Sequence, residues 1–166
     1  MNTTQLHEPV AQPRVAAGVL FFDASGDVLL VKPTYKEGWE IPGGYLHPSE
    51  TPTDGAAREV LEELSITPPI GRLLVADWAP HPKEGDKLVF VFDGGQLAAE
   101  HCEKITLDRT EIGDCAFHQP SDIDQLLVPR LARRIHAAIQ ARSEDCVTYL
   151  EHGEQPVLWP RGVAQG

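Results

Sequence analysis

Runs of apolar residues separated by turn-forming clusters predict a fold built mainly from β-strands. Residues 14–22 form a β-rich run, 23–27 form a turn cluster, and 28–31 return as a second apolar run, so together they predict a hairpin. The other predicted strands, several of them short, cover 39–41, 70–78, 87–92, 105–107, 115–117, 146–150 and 156–159. The last two runs flank Gly153 and predict a closing hairpin. Strand patterns therefore dominate the chain.

Two other segments have the spacing of α-helices. The first is predicted over 52–64, because Thr51 and Pro52 are typical of a helix start and the prolines at 68 and 69 end it. Its core face is predicted from apolar residues at i, i+3, i+4 and i+7, namely Ala57, Val60, Leu61 and Leu64. This spacing indicates a helix that packs one side against the rest of the domain.

The second helix lies near the C-terminal end and is predicted from a single apolar stripe. The stripe recurs every four residues, at Leu127, Leu131, Ile135 and Ile139. Three arginines lie opposite it and are predicted to form a solvated basic face: Arg130, Arg133 and Arg134. No aromatic residues are interleaved with these arginines, so the helix does not predict a nucleic-acid-binding surface.

The first helix also gathers acids on one of its faces. Glu59, Glu62 and Glu63 stand at i, i+3 and i+4, where like charges destabilise a helix by about 0.2–0.5 kcal/mol per pair. A solvated acidic face is one interpretation. The other is a site for Mg²⁺ or Mn²⁺, which prefer oxygen ligands. The Gly43-Gly44 pair before the helix favours the second, because glycine lets the backbone approach a ligand closely.

Length and charge limit the classes of function. The chain has 166 residues, with 14 Lys and Arg against 25 Asp and Glu, which gives a net charge of −11. We expect a loose lead-in over 1–13 and a single domain over 14–160. An acidic chain lacks the clustered cations that bind nucleic-acid backbones or anionic membranes, so neither is an expected partner.

The cysteines and the first residues indicate the compartment. Cys102, Cys115 and Cys146 are widely spaced, which argues against a zinc site or a disulfide framework and predicts free thiols. The start of the chain does not resemble a secretory signal. The longest apolar run, over 15–22, is far shorter than the roughly 20 residues that span a bilayer. These features predict a cytoplasmic protein.

A longer motif connects the glycines, the acids and one arginine. Gly44, Glu50 and the run from Arg58 to Ile66 stand at the spacings of the Nudix box, which the sequence closely resembles. The chain is thus similar to the MutT-like Nudix hydrolases. Ser65 departs from the motif, because it stands where the family has a glycine. If the backbone there is left-handed, a residue other than glycine costs about 1–2 kcal/mol.

The resemblance implies a fold, a reaction and a metal. It implies an α/β protein, an α/β/α sandwich with a mixed sheet, that hydrolyses a nucleoside diphosphate linked to another moiety with the help of Mg²⁺ or Mn²⁺. The metal ligands it implies are Glu59, Glu62, Glu63 and the carbonyl of Gly43. Arg58 is expected to pair with Glu50 or a neighbouring acid and so orient the carboxylates.

For the general base and the substrate-binding residues, the sequence gives candidates only. By the resemblance the base is either a box glutamate, Glu59, or an acid on a distal loop, for which Glu111 is the candidate. Gly44 and Trp39 are candidates for contacts with the substrate, although Trp39 also fits a core position. Specificity is expected in the loops over 33–38 and 79–86.

Several alternatives stay open from the sequence. The substrate is expected among ADP-ribose, nucleotide sugars and nucleoside triphosphates, and a homodimer is compatible with the chain. A Nudix-like domain that senses a nucleotide without cleaving it is the alternative function. Such a domain is expected to lose acids of the box, and this chain keeps them all, which favours the enzyme.

Overall fold

The computed structural model describes residues 10–157. The strands of this range are β1 Arg14–Phe22, β2 Val28–Pro33, β3 Gly43–Tyr45, β4 Leu73–Trp78, β5 Lys87–Gln96, β6 Ile112–His118 and β7 Thr148–Glu151. The helices are α1 Pro52–Leu64, α2 Ala99–Lys104, α3 Ile123–Leu126, which a 3-10 turn over Pro120–Asp122 precedes, and α4 Pro129–Ser143. None of the helices in the described range is long and apolar enough to cross a membrane.

The strands form one mixed sheet with β1 near its centre. The order is β6-β2-β1-β5-β4-β7, and β3 pairs with the first half of β1. The pairs β1–β5 and β4–β7 are parallel, whereas the other pairs are antiparallel. The prediction of a mixed sheet is confirmed.

A hydrophobic core lies on each face of this sheet. Successive residues of β1 point to opposite faces, so Val19 and Phe21 join one core while Leu20 and Phe22 join the other. Helix α1 covers the first core with Ala56, Val60 and Leu64. Helix α4 covers the second with Ala132, Ile135 and Ala138. The predicted α/β/α sandwich is confirmed.

The predicted core face of α1 is wrong in part. Val60 and Leu64 are buried, but Ala57 is exposed and the Leu61 side chain is 49% exposed. The buried positions include Glu63 instead. The helix is rotated relative to the orientation predicted from its apolar residues, because Glu59 and Glu63 lie against β3, whereas Glu62 is exposed.

Two predicted short strands are not formed. The segment 39–41 contributes only an isolated bridge from Glu40 to Val31, and the strand of this region is β3, a few residues later. The segment 105–107 is not a strand either. Its Thr106 N–H donates to the carbonyl of Leu64 at 3.0 Å, so the segment covers the end of α1.

The predicted closing hairpin is formed differently from the expectation. Strand β7 is present, but it pairs in parallel with β4, and Glu154 returns only as an isolated bridge to Glu151. Leu158 and Trp159, which belong to the predicted second arm, lie outside the described residues. At this edge of the sheet, β7 thus pairs as a strand with β4, which is distant in sequence, and not with the residues that follow it.

The end of α1 keeps the geometry that the box glycine would favour. Ser65 is the C-cap residue, with a left-handed φ of +57° and ψ of +30°. Its N–H donates to the carbonyl of Leu61 at 2.9 Å. The chain thus accepts the cost of about 1–2 kcal/mol that a left-handed residue with a side chain carries.

Candidate active site

The candidate site lies where β3 runs beneath α1. Gly43 and Gly44 pair with Gly18 and Ala17 of β1, which fixes β3 against the centre of the sheet. A Cβ on Gly44 would stand 2.4 Å from Oε1 of Glu59. Only glycine therefore leaves room for this carboxylate over the strand, which explains the residue type at position 44.

One guanidinium organises the acids above β3. Arg58 donates from Nε to Oε1 of Glu50 at 2.7 Å and from Nη2 to Oε2 at 3.1 Å. Its Nη1 donates to Glu59 at 2.8 Å and to Glu62 at 2.7 Å. Its Nη2 also reaches the carbonyl of Tyr45 at 2.9 Å, which links α1 to β3. Arg58 thus has the ion pair with Glu50 that the sequence led us to expect.

The environment of each acid shifts its proton affinity in a different direction. The hydrogen bonds from Arg58 lower the pKa of Glu50 to about 2. Burial raises the pKa of Glu63 to about 8; this side chain is only 6% exposed and accepts the Gly43 N–H at 3.1 Å. Burial also raises the pKa of Glu59, against the opposing effect of Arg58. For Glu59 and Glu63, the nearby hydrogen-bond donors therefore do not offset the cost of burying a negative charge.

The donor chemistry of the site fits a hard divalent cation. Three carboxylates surround the Arg58 guanidinium, those of Glu50, Glu59 and Glu62. A fourth, that of Glu63, lies on the same helix and is bonded to the Gly43 N–H. Within residues 10–157, no three acidic, imidazole or thiol side chains converge on one point as they stand. The reason is that Arg58 holds Glu59 and Glu62, while Glu63 is bonded to Gly43. Oxygen donors with excess negative charge are what Mg²⁺ and Mn²⁺ prefer.

Glu111 lies close to these acids although it is about fifty residues away in sequence. It is exposed at the end of the turn before β6, and its carbonyl accepts the Thr34 N–H at 2.8 Å. Its negative charge contributes to raising the pKa of both Glu59 and Glu63. The structure therefore brings this candidate to the same side of the molecule as the box.

A cavity of about 300 Å³ opens beside β3. It lies between β1, β5, the segment 36–41 and the start of α4, and both Gly43 and Gly44 line it. Trp39 lies on its wall, and the indole meets the ring of His118 edge-on with the centroids 4.6 Å apart. Trp39 packs against the core, as one of the two expectations had it, and it also borders the cavity.

The prediction of a solvated basic face on α4 is wrong for one residue. Arg134 is only 8% exposed, and its Nε donates to Oδ2 of Asp77 at 2.7 Å. Asp77 is fully buried in β4 and also accepts the Gly153 N–H at 3.1 Å. Arg134 lines the cavity as well. Two features of the sequence could have indicated this ion pair. Asp77 is an acid within the apolar strand β4, and Arg134 directly precedes Ile135 of the apolar stripe.

Comparisons with known proteins agree with this fold. The family model of the NUDIX domain matches residues 12–139. The mouse diphosphoinositol polyphosphate phosphohydrolase 3-alpha is 30% identical over 110 residues, which cover 65% of this chain and 67% of that protein.

Two solved structures show the same fold. The MutT protein from Methanosarcina mazei Go1 has a TM-score of 0.66 at 24% identity, over 82% of this chain and 99% of that chain. A UDP-X diphosphatase has a TM-score of 0.68 at 19% identity, over 88% of this chain and 70% of that chain. Because the family model matches more than half of the residues, the chain belongs to the NUDIX family, and the prediction of a Nudix pyrophosphohydrolase is confirmed.

Proposed function

We propose that the protein hydrolyses a nucleoside diphosphate linked to another moiety, by attack of water on the diphosphate, and that the reaction requires Mg²⁺ or Mn²⁺. The observation that carries this proposal is the cluster of four carboxylates beside the glycines that line the cavity, three of them held by Arg58 and the fourth, Glu63, by the Gly43 N–H. Such a cluster suits a divalent cation, and a diphosphate beside it would have its remaining part in the cavity.

Glu59, Glu62, Glu63 and the Gly43 carbonyl would hold the metal. The cation would screen the phosphate oxygens and lower the pKa of a water molecule. The other residues of the cluster position the ligands. Glu50 keeps two hydrogen bonds to Arg58 and thereby fixes the guanidinium beside the ligands. The Gly43 N–H fixes the Glu63 carboxylate at the surface of β3.

Glu59 and Glu111 are the two candidates for the general base. Two observations support Glu59 as the base. Its half-buried carboxyl lies above Gly44, and burial raises the pKa of this carboxyl. A raised pKa brings a carboxylate nearer to the operating pH, where proton transfer is most efficient. Glu111 is supported by its exposed position and by the turn that carries it, whose Asp108 N–H donates to the carbonyl of Glu63 at 3.3 Å.

The names of the relatives support a phosphoanhydride substrate. One relative is named for diphosphoinositol polyphosphate and one structural neighbour for UDP-X. Both kinds of molecule contain a diphosphate group, whereas the moieties attached to it differ. The diphosphate is therefore the common part, and we propose Trp39 and Gly44 as contacts for the substrate because both line the cavity beside the cluster.

A panel assay tests the proposal. The purified protein is incubated with ADP-ribose, nucleotide sugars and nucleoside triphosphates in Mg²⁺, and release of nucleoside monophosphate or phosphate is measured. We expect turnover of at least one member, loss of turnover in EDTA, and a loss of more than about 100-fold in Glu62→Gln and Glu63→Gln. Glu103→Gln, an exposed acid of α2, is the matched control.

Activity that persists in EDTA would contradict the metal requirement. Tight binding of a nucleotide without turnover of any panel member would support a nucleotide-sensing domain instead.

A further inference from the structure

The Arg134 side chain is buried, but its two Nη atoms remain accessible from the cavity. The side chain is held through Nε by Asp77, and among residues 10–157 its Nη atoms have no hydrogen-bond partner. The one buried side-chain polar atom without a partner in that range is Nε2 of His118. The Nη atoms of Arg134 therefore remain accessible, and the space that Arg134 borders is the cavity.

The α4 wall of the cavity carries two cationic side chains, Arg130 and Arg134. Four cationic side chains line the cavity, Lys36, Lys87, Arg130 and Arg134, against the two carboxylates of Glu37 and Glu40. Lys36 is paired with Glu40 at 2.8 Å and Lys87 with Glu84 at 2.9 Å. Arg130 has no ion-pair partner in the described part of the chain. Asp77 balances the charge of Arg134, so Arg130 and Glu37 are the two charges of the lining that have no ion-pair partner in the described range. Of these two, Arg130 belongs to the same helix as Arg134.

The start of α4 adds one free backbone donor at the same wall among the described residues, the Arg130 N–H, because the Leu131 and Ala132 N–H groups donate to the Val128 carbonyl at 2.9 and 3.0 Å. Val128, Arg130 and Leu131 line the cavity. Val128 is the N-cap residue and supplies no side-chain hydrogen bond, and Pro129 has no N–H to donate. Helix α4 is 15 residues long, so its first turn has the positive end of a full helix dipole. Arg130 and Arg134 lie one turn apart on the same face of this helix.

We propose that Arg134, Arg130 and the first turn of α4 bind a second anionic group of the substrate, a phosphate or a carboxylate, on the moiety remote from the diphosphate. This inference rests on the proposed function and narrows its substrate class. Substrates with a charged remote moiety bind better than substrates whose remote moiety is neutral. Asp77 is a positioning residue, because it holds Nε of Arg134 and leaves both Nη atoms for the anion.

The binding test uses inorganic phosphate and, in a second titration, succinate, both with metal-free protein. Chemical shifts of the Arg130–Ala132 amides and of the Arg134 Nε–H group are followed by ¹H–¹⁵N NMR. We expect saturable shifts with at least one anion, and binding at least about tenfold weaker in Arg130→Gln. Arg133→Gln is the matched control, because Arg133 is on the same helix but contacts His152 and Glu154.

Arg134 needs a variant that still folds. Arg134→Gln alone would leave Asp77 buried without its cation, so the double variant Asp77→Asn/Arg134→Gln replaces the ion pair by two neutral amides. After circular dichroism has verified its fold, we expect it to bind neither anion. Absence of saturable shifts with both anions in the native protein, or unchanged binding in Arg130→Gln and in the double variant, would overturn the proposal.

A pair of substrates separates this inference from the proposed function. ADP-ribose and its 2′-phosphate have the same diphosphate, and they differ in one remote phosphate. We expect kcat/KM to be at least about tenfold higher for the phosphorylated member, and this ratio to fall in Arg130→Gln but not in Arg133→Gln. Hydrolysis of both at equal kcat/KM, together with no phosphate binding, contradicts only the anion site. Hydrolysis of neither removes ADP-ribose from the candidate substrates; the panel assay then decides the proposed function, and the NMR titrations decide the anion site.

Discussion

Glu50 holds Arg58 through two nearly parallel hydrogen bonds, from Nε at 2.7 Å and from Nη2 at 3.1 Å. The remaining donor, Nη1, is shared between Glu59 and Glu62. Two of the proposed metal ligands therefore depend on the same guanidinium. The position of Arg58 decides whether it competes with a cation for these carboxylates or only orients them.

Glu50→Gln is expected to raise the concentration of Mg²⁺ that half-saturates activity by about 10–100-fold. Without the Glu50 charge, the guanidinium is less firmly held and pairs more strongly with Glu59 and Glu62. The Mg²⁺ dependence of kcat/KM and direct Mn²⁺ binding by electron paramagnetic resonance measure this effect. Glu103→Gln serves again as the control, and an unaltered Mg²⁺ curve in Glu50→Gln would remove Arg58 from the positioning of the ligands.

Gly44→Ala is expected to reduce activity by about 100-fold with little effect on Tm. The new methyl group would meet the flexible end of Glu59 at 2.4 Å, so the carboxylate moves while the backbone stays. Gly113→Ala is a suitable control, because a Cβ there meets only ordinary contacts at 3.6 Å. Steady-state kinetics and thermal unfolding measure the two effects, and full activity in Gly44→Ala would refute the tight placement of Glu59.

Ser65→Gly is expected to stabilise the protein by up to about 1 kcal/mol, because glycine adopts the left-handed φ of +57° without steric cost. For a chain of this size, that gain corresponds to a Tm about 2–4 °C higher. Ser65→Ala should give no such gain, since alanine keeps the Cβ. Thermal unfolding in parallel with kinetics tests this expectation, and a fall in Tm for Ser65→Gly would show that the serine side chain itself stabilises the helix end.

The contribution of Glu84 to stability is expected to depend on pH only in acid. Hydrogen bonds from Tyr45 and Lys87 lower the pKa of Glu84 from its ordinary value of 4.5 to about 2. A lowered pKa means that the folded state favours the carboxylate. The stabilisation is thus present above pH 4.5 and is lost as the pH falls towards 2.

Urea unfolding of the native protein and of Glu84→Gln measures this contribution. The difference between their free energies of unfolding should be constant above about pH 5 and shrink below it. The Glu84 carboxyl should titrate near pH 2 by NMR. A midpoint near 4.5 would mean that Glu84 does not tether the loop over 79–86 to β3.

Local patterns predicted those parts of the fold that depend on local contacts. The hairpin of β1 and β2 and the span of α1 follow from alternation, turn residues and cap chemistry, and all are present. The assignment of 39–41 as a strand failed for a different reason. The strand forms instead over Gly43–Tyr45, because that segment pairs with β1, a contact across the sheet that the local pattern does not contain.

The spacing of the box brought the acids together, but it did not predict which way the helix faces. Ala57 and Leu61 have the spacing of core residues but are exposed. Glu63 is buried instead, because its carboxylate accepts the Gly43 N–H and so lies against β3. Arg134 was misjudged because its partner, Asp77, is 57 residues away in sequence. Helical periodicity has no information about such a distant partner.

The two helices that flank the sheet have separate tasks in the proposed enzyme. The acids of α1 act on the diphosphate, whereas the arginines of α4 contact the remote moiety, and β1 stands between the two cores. Mutations in α4 can therefore change which compounds are accepted while the hydrolytic apparatus stays intact. For protein engineering, α4 is the helix to randomise when a new specificity is wanted.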